Sequence, residues 1–253
     1  MGRPMTAAVH IERCPRRIRA VFQGKTIADS SVASLVWRTG WPPVPWYYFP
    51  EDDVDSELLA ATDHSDSHET MGEARYWSVI VGDRVAENAA FGYPDSPIIE
   101  LRDLRSLNFV QMDAWFEEDE EIFVHPRDPY HRVDVLYSSR HIEVSVNGVK
   151  VADSRRARLL FETNLPTRYY LPKLDVRMDL LTVSETSSAC PYKGVASYWS
   201  LTSGEVPAHD VAWGYRTPLL AASKVTDLVC FYNEKVDITV DDVAQKRPKT
   251  GFA

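Results

Sequence analysis

The sequence predicts an all-β fold made of two similar small domains, with few short helices. Three observations lead to this prediction. An internal repeat runs through most of the 253 residues, apolar and polar residues alternate within its segments, and helical periodicity is almost absent. Together they indicate a tandem duplication of one β-rich domain.

The repeat is clearest where each half begins. IRAVFQGKTIADS, from Ile18, aligns with IEVSVNGVKVADS, from Ile142, and the later segments follow at a nearly constant offset. WYYFPEDDVDSELL aligns with RYYLPKLDVRMDLL, GEARYWS with GVASYWS, and AFGYPDSP with AWGYRTPL. We also align AWFEEDEEIFV with CFYNEKVDITV. Self-similarity at one offset over most of the chain predicts duplication.

The repeat also sets the expected domain boundaries. We expect an N-terminal extension over 1–17, a first β-domain over 18–125, a linker over 126–141, a second β-domain over 142–242 and a C-terminal tail over 243–253. Prolines and charges in HPRDPYHRVDVLYSS favour the linker. Because each domain is small and rich in aromatic residues, we expect the halves to pack as a pseudo-twofold pair.

Turn residues predict where the strands reverse. Asn147-Gly148 is the strongest hairpin signal, because both residues accept a positive φ in a type I′ turn. We expect a second hairpin from LVCFY to VDITV through Asn233-Glu234. In the first domain, the acidic run 117–121 is expected at a solvated hairpin tip. Helix is expected only as short turns, over 53–60 and 175–181.

Composition excludes several classes of protein. A net charge of −9 argues against nucleic acid as the main partner. The sequence contains no apolar stretch near the roughly 20 residues that span a bilayer. Cys14, Cys190 and Cys230 form no disulfide framework, so we expect a cytoplasmic protein.

Three motifs in the second half support a family resemblance. They consist of Tyr170, Pro172, Asp175 and Val176; Thr186, Cys190–Gly194, Ala196, Tyr198 and Trp199; and Ala212, Trp213, Tyr215 and Pro218. On these motifs the second half resembles the family catalogued as domain of unknown function 427, also labelled nucleotidyltransferase-like, and the repeat extends the resemblance to the first half. The resemblance implies a compact β-rich fold of the β-tent kind and no established activity.

The first half departs from the motif at one loop. His68, Glu69, Thr70 and Met71 stand where the second half has CPYK, whereas the neighbouring Gly, Ala, Tyr and Trp residues are kept. The second loop is therefore the better candidate for function.

The CPYKG loop has three possible interpretations. Cys190 near the Lys193 ammonium is a candidate nucleophile with a lowered pKa, and His209 is a candidate base if the fold brings it close. Alternatively, Tyr192 and Lys193 bind a ligand, or the segment is a structural turn with a small buried thiol. An unpaired ammonium is costly to bury, so we expect Lys193 to reach solvent or a pocket mouth and to face an anion.

Aromatic and polar residues near this loop complete the candidate ligand site. Trp213 and Tyr215 share one face of a strand and are candidates for an aromatic wall. Glu185, His209 and Asp210 are candidate polar ligand contacts. Trp77 and Trp199 are expected in the core, where replacement by Ala should cost about 3 kcal/mol.

Neither nucleotidyl transfer nor metal binding has the residues it needs in the second half. The Asp53 and Asp55 pair aligns with Asp175 and Arg177, and no phosphate-binding P-loop motif is present. His64 and His68 lie in a polar segment and are expected at the surface. The sequence therefore predicts no metal site and assigns no cofactor.

The leading hypothesis is a small-molecule or nucleotide pocket in the second half, with an anionic ligand. The alternative is a non-catalytic interaction or structural module. An enzyme should show a concave site that joins Lys193 to Glu185 or Asp210. A module should show these side chains dispersed, with an exposed apolar patch elsewhere.

Overall fold

A computed structural model describes residues 9–38, 44–202 and 207–251. The chain forms two compact units, Met1–Tyr130 and His131–Ala253. Each unit is built from one large and one small antiparallel sheet. The expected packing of the halves against each other stays a prediction.

The first unit contains strands β1 to β11. They are Val9–Arg13, Ile18–Phe22, Lys25–Ser30, Ser34–Arg38, Trp46–Pro50, Leu59–His68, Gly72–Val81, Arg84–Gly92, Leu104–Leu107, Ala114–Glu117 and Glu120–Ile122. The seven-stranded sheet has the order β1-β4-β5-β9-β8-β7-β6, and the four-stranded sheet β11-β10-β2-β3. Short 3-10 helices cover Glu51–Asp53, Ser56–Leu58, Ile99–Leu101 and Phe109–Gln111.

The second unit repeats this topology with β12 to β22. They are Val133–Tyr137, Ile142–Val146, Val149–Ser154, Arg158–Glu162, Arg168–Leu171, Leu181–Cys190, Gly194–Leu201, Ala208–Tyr215, Val229–Phe231, Asp237–Val240 and Val243–Ala244. The sheets have the orders β12-β15-β16-β20-β19-β18-β17 and β14-β13-β21-β22. Short 3-10 helices cover Lys173–Asp175, Met178–Leu180 and Leu220–Val225. The predicted all-β tandem duplication is confirmed.

Helix is limited to these short segments. Within the described ranges no α-helix occurs, and none of the helical segments there has the length and apolar character needed to cross a bilayer.

The predicted turn at Asn147-Gly148 shows why the chain folds back here. Both residues have positive φ, +50° and +80°, and they join β13 to β14. In β13, Ile142, Val144 and Val146 are buried, as the period of two requires.

Each large sheet is buried on both faces at its centre. In the second unit, Leu171 belongs to a core cluster that also contains Ile142 and Val144 of the small sheet. Its neighbour Tyr170 points to the opposite face, into a second cluster with Trp213 and Tyr215. The core therefore consists of two layers separated by the large sheet.

Three strands that complete the sheets lie outside the expected bounds of the two domains. β1 lies in the expected N-terminal extension and pairs with β4. β12 lies in the expected linker and pairs with β15. β22 lies in the expected tail and pairs with β21.

The alignment of AWFEEDEEIFV with CFYNEKVDITV is wrong, and so is the hairpin expected through Asn233-Glu234. β20 pairs with β16 and β19 in the large sheet, whereas β21 pairs with β13 in the small sheet, so Asn233-Glu234 does not close a hairpin. In the first unit, β9 occupies the position of β20 in the large sheet, and β10 occupies the position of β21 in the small sheet. LRSL therefore corresponds to VCF, and AWFE to DITV. Shared aromatic residues favoured the false alignment.

The prediction that the acidic run 117–121 is solvated at a hairpin tip is confirmed for part of the run. Glu118 and Asp119 are exposed at the tip between β10 and β11. Glu117 is buried, where it accepts a 2.6 Å hydrogen bond from the Tyr47 hydroxyl and pairs with Arg16 and Arg127. The expectation of a solvated run is wrong for Glu117, because these partners replace water.

Gly214 lies where β19 comes close to the backbone of the segment before β20. A Cβ atom here would lie 2.4 Å from the carbonyl oxygen of Leu228. We expect Gly214→Ala to lower the free energy of unfolding by about 1–3 kcal/mol in chemical denaturation, since the backbone must shift. Ser197→Ala, at the exposed position paired with Gly214, is the control. An unchanged Gly214→Ala transition would contradict this strand arrangement.

Candidate functional site

The CPYKG segment forms the connection between β17 and β18. Cys190 pairs with Gly194, and Gly194 has φ +100°, a conformation that favours glycine. The backbone N–H of Leu219 donates to the Lys193 carbonyl oxygen over 3.0 Å. The segment is thus a fixed turn, which the third interpretation predicted.

The Lys193 side chain is buried in an ion-pair cluster. Its ammonium contacts both carboxylate oxygens of Glu162, which is also buried. His131 donates from Nε2 to Oε1 of Glu162 over 3.0 Å, and its ring stacks on Tyr192 with 3.9 Å between centroids. The expectation that Lys193 reaches solvent is wrong, because a carboxylate inside the protein serves as its counter-ion.

Opposing effects act on the Glu162 carboxyl. Burial alone would raise its pKa, but hydrogen bonds and charge from His131 and Lys193 outweigh burial and hold the pKa below its ordinary value. Glu162 is therefore charged at neutral pH. Loss of either charge from this buried pair would leave the other uncompensated.

The first unit lacks both members of the pair. Met71, fully buried, stands in place of Lys193, and Arg38 stands in place of Glu162, since Arg38 pairs with Val9 as Glu162 pairs with Val133. The two positions therefore differ together between the repeats. Sequence reasoning missed Glu162 and His131 because both lie far from the loop in sequence. The available signal for Glu162 was that its position, Arg38 in the first unit, differs between the repeats together with the position of Lys193.

The predicted aromatic wall lies inside the protein. Trp213 and Tyr215 share one face, as predicted, but both are buried together with Ala222 and Val225 of the nearby 3-10 helix. The Trp213 indole N–H donates to the Tyr170 hydroxyl over 3.1 Å. Trp213 is only 7% exposed, and its ring packs against the ring of Tyr232 with 4.4 Å between centroids, so its surface is already covered by the protein.

Asp210 closes a β-bulge. β17 is irregular between Val183 and Ser187, and Thr186 at this bulge donates from Oγ1 to Asp210 over 2.7 Å. Asp210 has φ +46°, and the hydrogen bond from Thr186 lowers the pKa of its carboxyl. In the first unit, Thr62 at the corresponding bulge donates to Asn88, the counterpart of Asp210, and Asn88 has φ +51°. The repetition indicates a structural role.

The remaining predicted residues are dispersed. Glu185 and His209 are exposed near the bulge, whereas Lys193 lies beyond the far end of β17 and faces Glu162. The histidine that contacts the CPYKG turn is His131 and not His209. Cys190 is half-buried, and burial raises the pKa of Cys230 to about 12, so Cys230 is inert.

A cleft opens beside Trp199, at the edge of the cluster between the two sheets of the second unit. Its volume is about 390 Å³, and it is lined by Lys173, Ser197, Trp199, Gly214, Tyr215, Arg216, Asp227 and Leu228. Because Gly214 has no side chain, the indole of Trp199 packs 3.3 Å from the point where a Cβ would lie. Of the predicted site residues, Tyr215 lines the cleft.

The charges around the cleft favour an anion. Lys173 and Arg216 are cationic, and among the described lining residues Asp227 is the one carboxylate. The Lys173 ammonium lies 5.7 Å from the centroid of the Trp199 ring and 3.8 Å from Oδ1 of Asp227. Trp199 is half-buried and packs against the core cluster of its unit, as Trp77 does in the first unit, so the two indoles expected in the core lie at its margin.

The first unit fills the equivalent space with its own side chains. Arg105 places its guanidinium carbon 3.8 Å from the centroid of the Trp77 ring and donates to Glu51 over 2.9 Å. Glu51 and Lys173 correspond because each begins the 3-10 helix that follows the equivalent strand. Arg105 and the buried Val229 correspond because they occupy the same place in their strand pairings. The cleft in the second unit therefore lies where an arginine covers the tryptophan in the first.

Possible metal ligands lie elsewhere. His64 packs on Tyr76, and Nδ1 of His68 accepts hydrogen bonds from the Thr70 and Met71 backbone. His141, Glu143 and Asp242 bring their ligand atoms within 4.8 Å of one another. Lys150 already pairs with Glu143 there.

Comparison with known families gives two matches in this chain. The model NTP_transf_9, described as Domain of unknown function (DUF427), matches residues 10–118 and again 134–242. The chain belongs to the DUF427 family. The first matched range begins inside β1 and the second begins inside β12, so each of these strands is part of its DUF427 domain. A search of curated proteins finds no significant match.

Lys193→Met should destabilise the second DUF427 domain. We expect a loss of about 3–5 kcal/mol in the free energy of unfolding, because Glu162 would stay buried without its ammonium partner. Lys193→Met combined with Glu162→Leu should recover most of this loss, as measured by denaturation in a double-mutant cycle. A single variant as stable as the wild type would show that the pair contributes nothing.

The same carboxyl predicts a pH dependence. Because the folded-state pKa of Glu162 lies below its ordinary value of 4.5, its stabilising effect is present above pH 4.5 and is lost as the pH falls through the folded-state pKa. The difference in unfolding free energy between wild type and Glu162→Gln should therefore shrink in acid. A difference that is constant from neutral pH into the acid range would contradict this assignment.

Proposed function

We propose that the second DUF427 domain is a non-catalytic binding domain for a small anionic molecule with a planar ring, with nucleotides as the leading class. The site is the cleft beside Trp199. The observation that carries the proposal is the pairing of an accessible indole with two cationic side chains, in a space that Arg105 fills in the first domain.

The indole supplies the surface for the ring. Aromatic rings of ligands stack on tryptophan in a way that tolerates different ring systems, and each stacked base contributes about 1–3 kcal/mol. Arg105 over Trp77 demonstrates in the same chain that this face accepts a planar group.

Lys173 and Arg216 supply the attraction for the anion. An ammonium and a guanidinium that line one cleft bind phosphate or carboxylate by charge-assisted hydrogen bonds. The Lys173 side chain is 44% exposed, so its charge is available to a ligand.

The arrangement of the predicted catalytic residues favours binding over catalysis. Lys193 is committed to Glu162, and Asp210 to the bulge of β17, so the joint site required for an enzyme is not formed by them. Leu174 and Leu220 are each 90% exposed, and this observation supports the alternative function, an interaction module. Three free cysteines support our proposal of a cytoplasmic location.

Calorimetric titration with nucleoside monophosphates and inorganic phosphate tests this proposal. We expect nucleotides to bind more tightly than phosphate, and we expect Lys173→Glu, which introduces the charge of Glu51, to weaken binding by about tenfold or more. Trp199→Leu should weaken binding similarly, whereas Trp77→Leu in the first domain is the matched control. Failure of every nucleotide to bind, or equal binding by Lys173→Glu, would reject the cleft as an anion site.

A further inference from the structure

Asp227 is the unexplained member of the cleft. A carboxylate beside Lys173 and Arg216 repels a phosphate, so it opposes the binding of a simple anion. Its Oδ1 lies 3.8 Å from the Lys173 ammonium, beyond hydrogen-bonding distance, and the side chain is 62% exposed. The carboxylate therefore has acceptor capacity toward the cleft.

The backbone fixes the position of this carboxylate. Asp227 has φ +58°, a left-handed conformation that Asp tolerates better than most residues. Its N–H donates to the Tyr215 carbonyl over 2.9 Å, and the preceding Thr226 forms a bridge to Tyr215. Asp227 is thus held against β19 at the rim of the cleft.

We infer that Asp227 selects ligands that carry hydroxyl donors between the ring and the anionic group, which makes a ribonucleoside 5′-monophosphate the fitting class. This inference rests on the proposed function. Stacking on Trp199 places the ring, Lys173 and Arg216 hold the phosphate, and Asp227 accepts hydrogen bonds from the pentose hydroxyls. A cleft of about 390 Å³ lies at the small end of ligand sites, which favours one phosphate over three.

The inference predicts discrimination between ligands that differ only in hydroxyls. A ligand that lacks these hydroxyls forfeits the charge-assisted hydrogen bonds to the carboxylate and leaves it to water. Adenosine 5′-monophosphate should bind the full chain about tenfold or more tightly than its 2′,3′-dideoxy analogue or phenyl phosphate. Asp227→Gly, which tolerates the positive φ, should remove this preference.

Titration of the three ligands into wild type, Asp227→Gly and the control Asp103→Asn separates the outcomes. Asp103 occupies the corresponding position in the first domain, so its variant should keep the preference. Equal binding of all three ligands by wild type, or a preference that survives in Asp227→Gly, would overturn the role of Asp227 and leave the anion site standing. Binding of none of them would reject both proposals.

Discussion

Burial of each large sheet on both faces is the constraint on which the rest of the structure depends. Consecutive residues such as Tyr170 and Leu171 enter opposite core layers, so a change on either side of a central strand alters the packing of a core layer. Both repeats keep the same strand order under this constraint. Two differences between the repeats, one at the CPYKG turn and one around Trp199, change the surroundings of a functional candidate.

Each of these differences changes two neighbouring positions together and involves charged side chains. Lys193 and Glu162 replace Met71 and Arg38, and the resulting ion pair is internal. Around Trp199 the change has the opposite consequence. Losing the arginine that covers Trp77 in the first unit opens a cleft in the second. One exchange stabilises a turn, and the other creates space for a ligand.

The repeat and the Asn147-Gly148 turn were sufficient to predict the all-β duplication, because alternation and turn chemistry are local properties. The sequence did not reveal that β20 and β21 enter different sheets, since alternation does not specify the partner of a strand. The surroundings of Lys193 are not predictable from the sequence for a related reason. Its partner Glu162 is distant in sequence and is brought close by the fold.

The most direct test of the cleft follows the indole N–H signals of the seven tryptophans by two-dimensional NMR during titration with adenosine 5′-monophosphate. Trp199→Phe and Trp77→Phe assign the two corresponding signals. We expect a saturable shift of the Trp199 signal and an unchanged signal from Trp77, because Arg105 covers the Trp77 ring. A shift of the buried Trp213 signal in the absence of any shift at Trp199, or no shift at saturating nucleotide, would contradict this expectation.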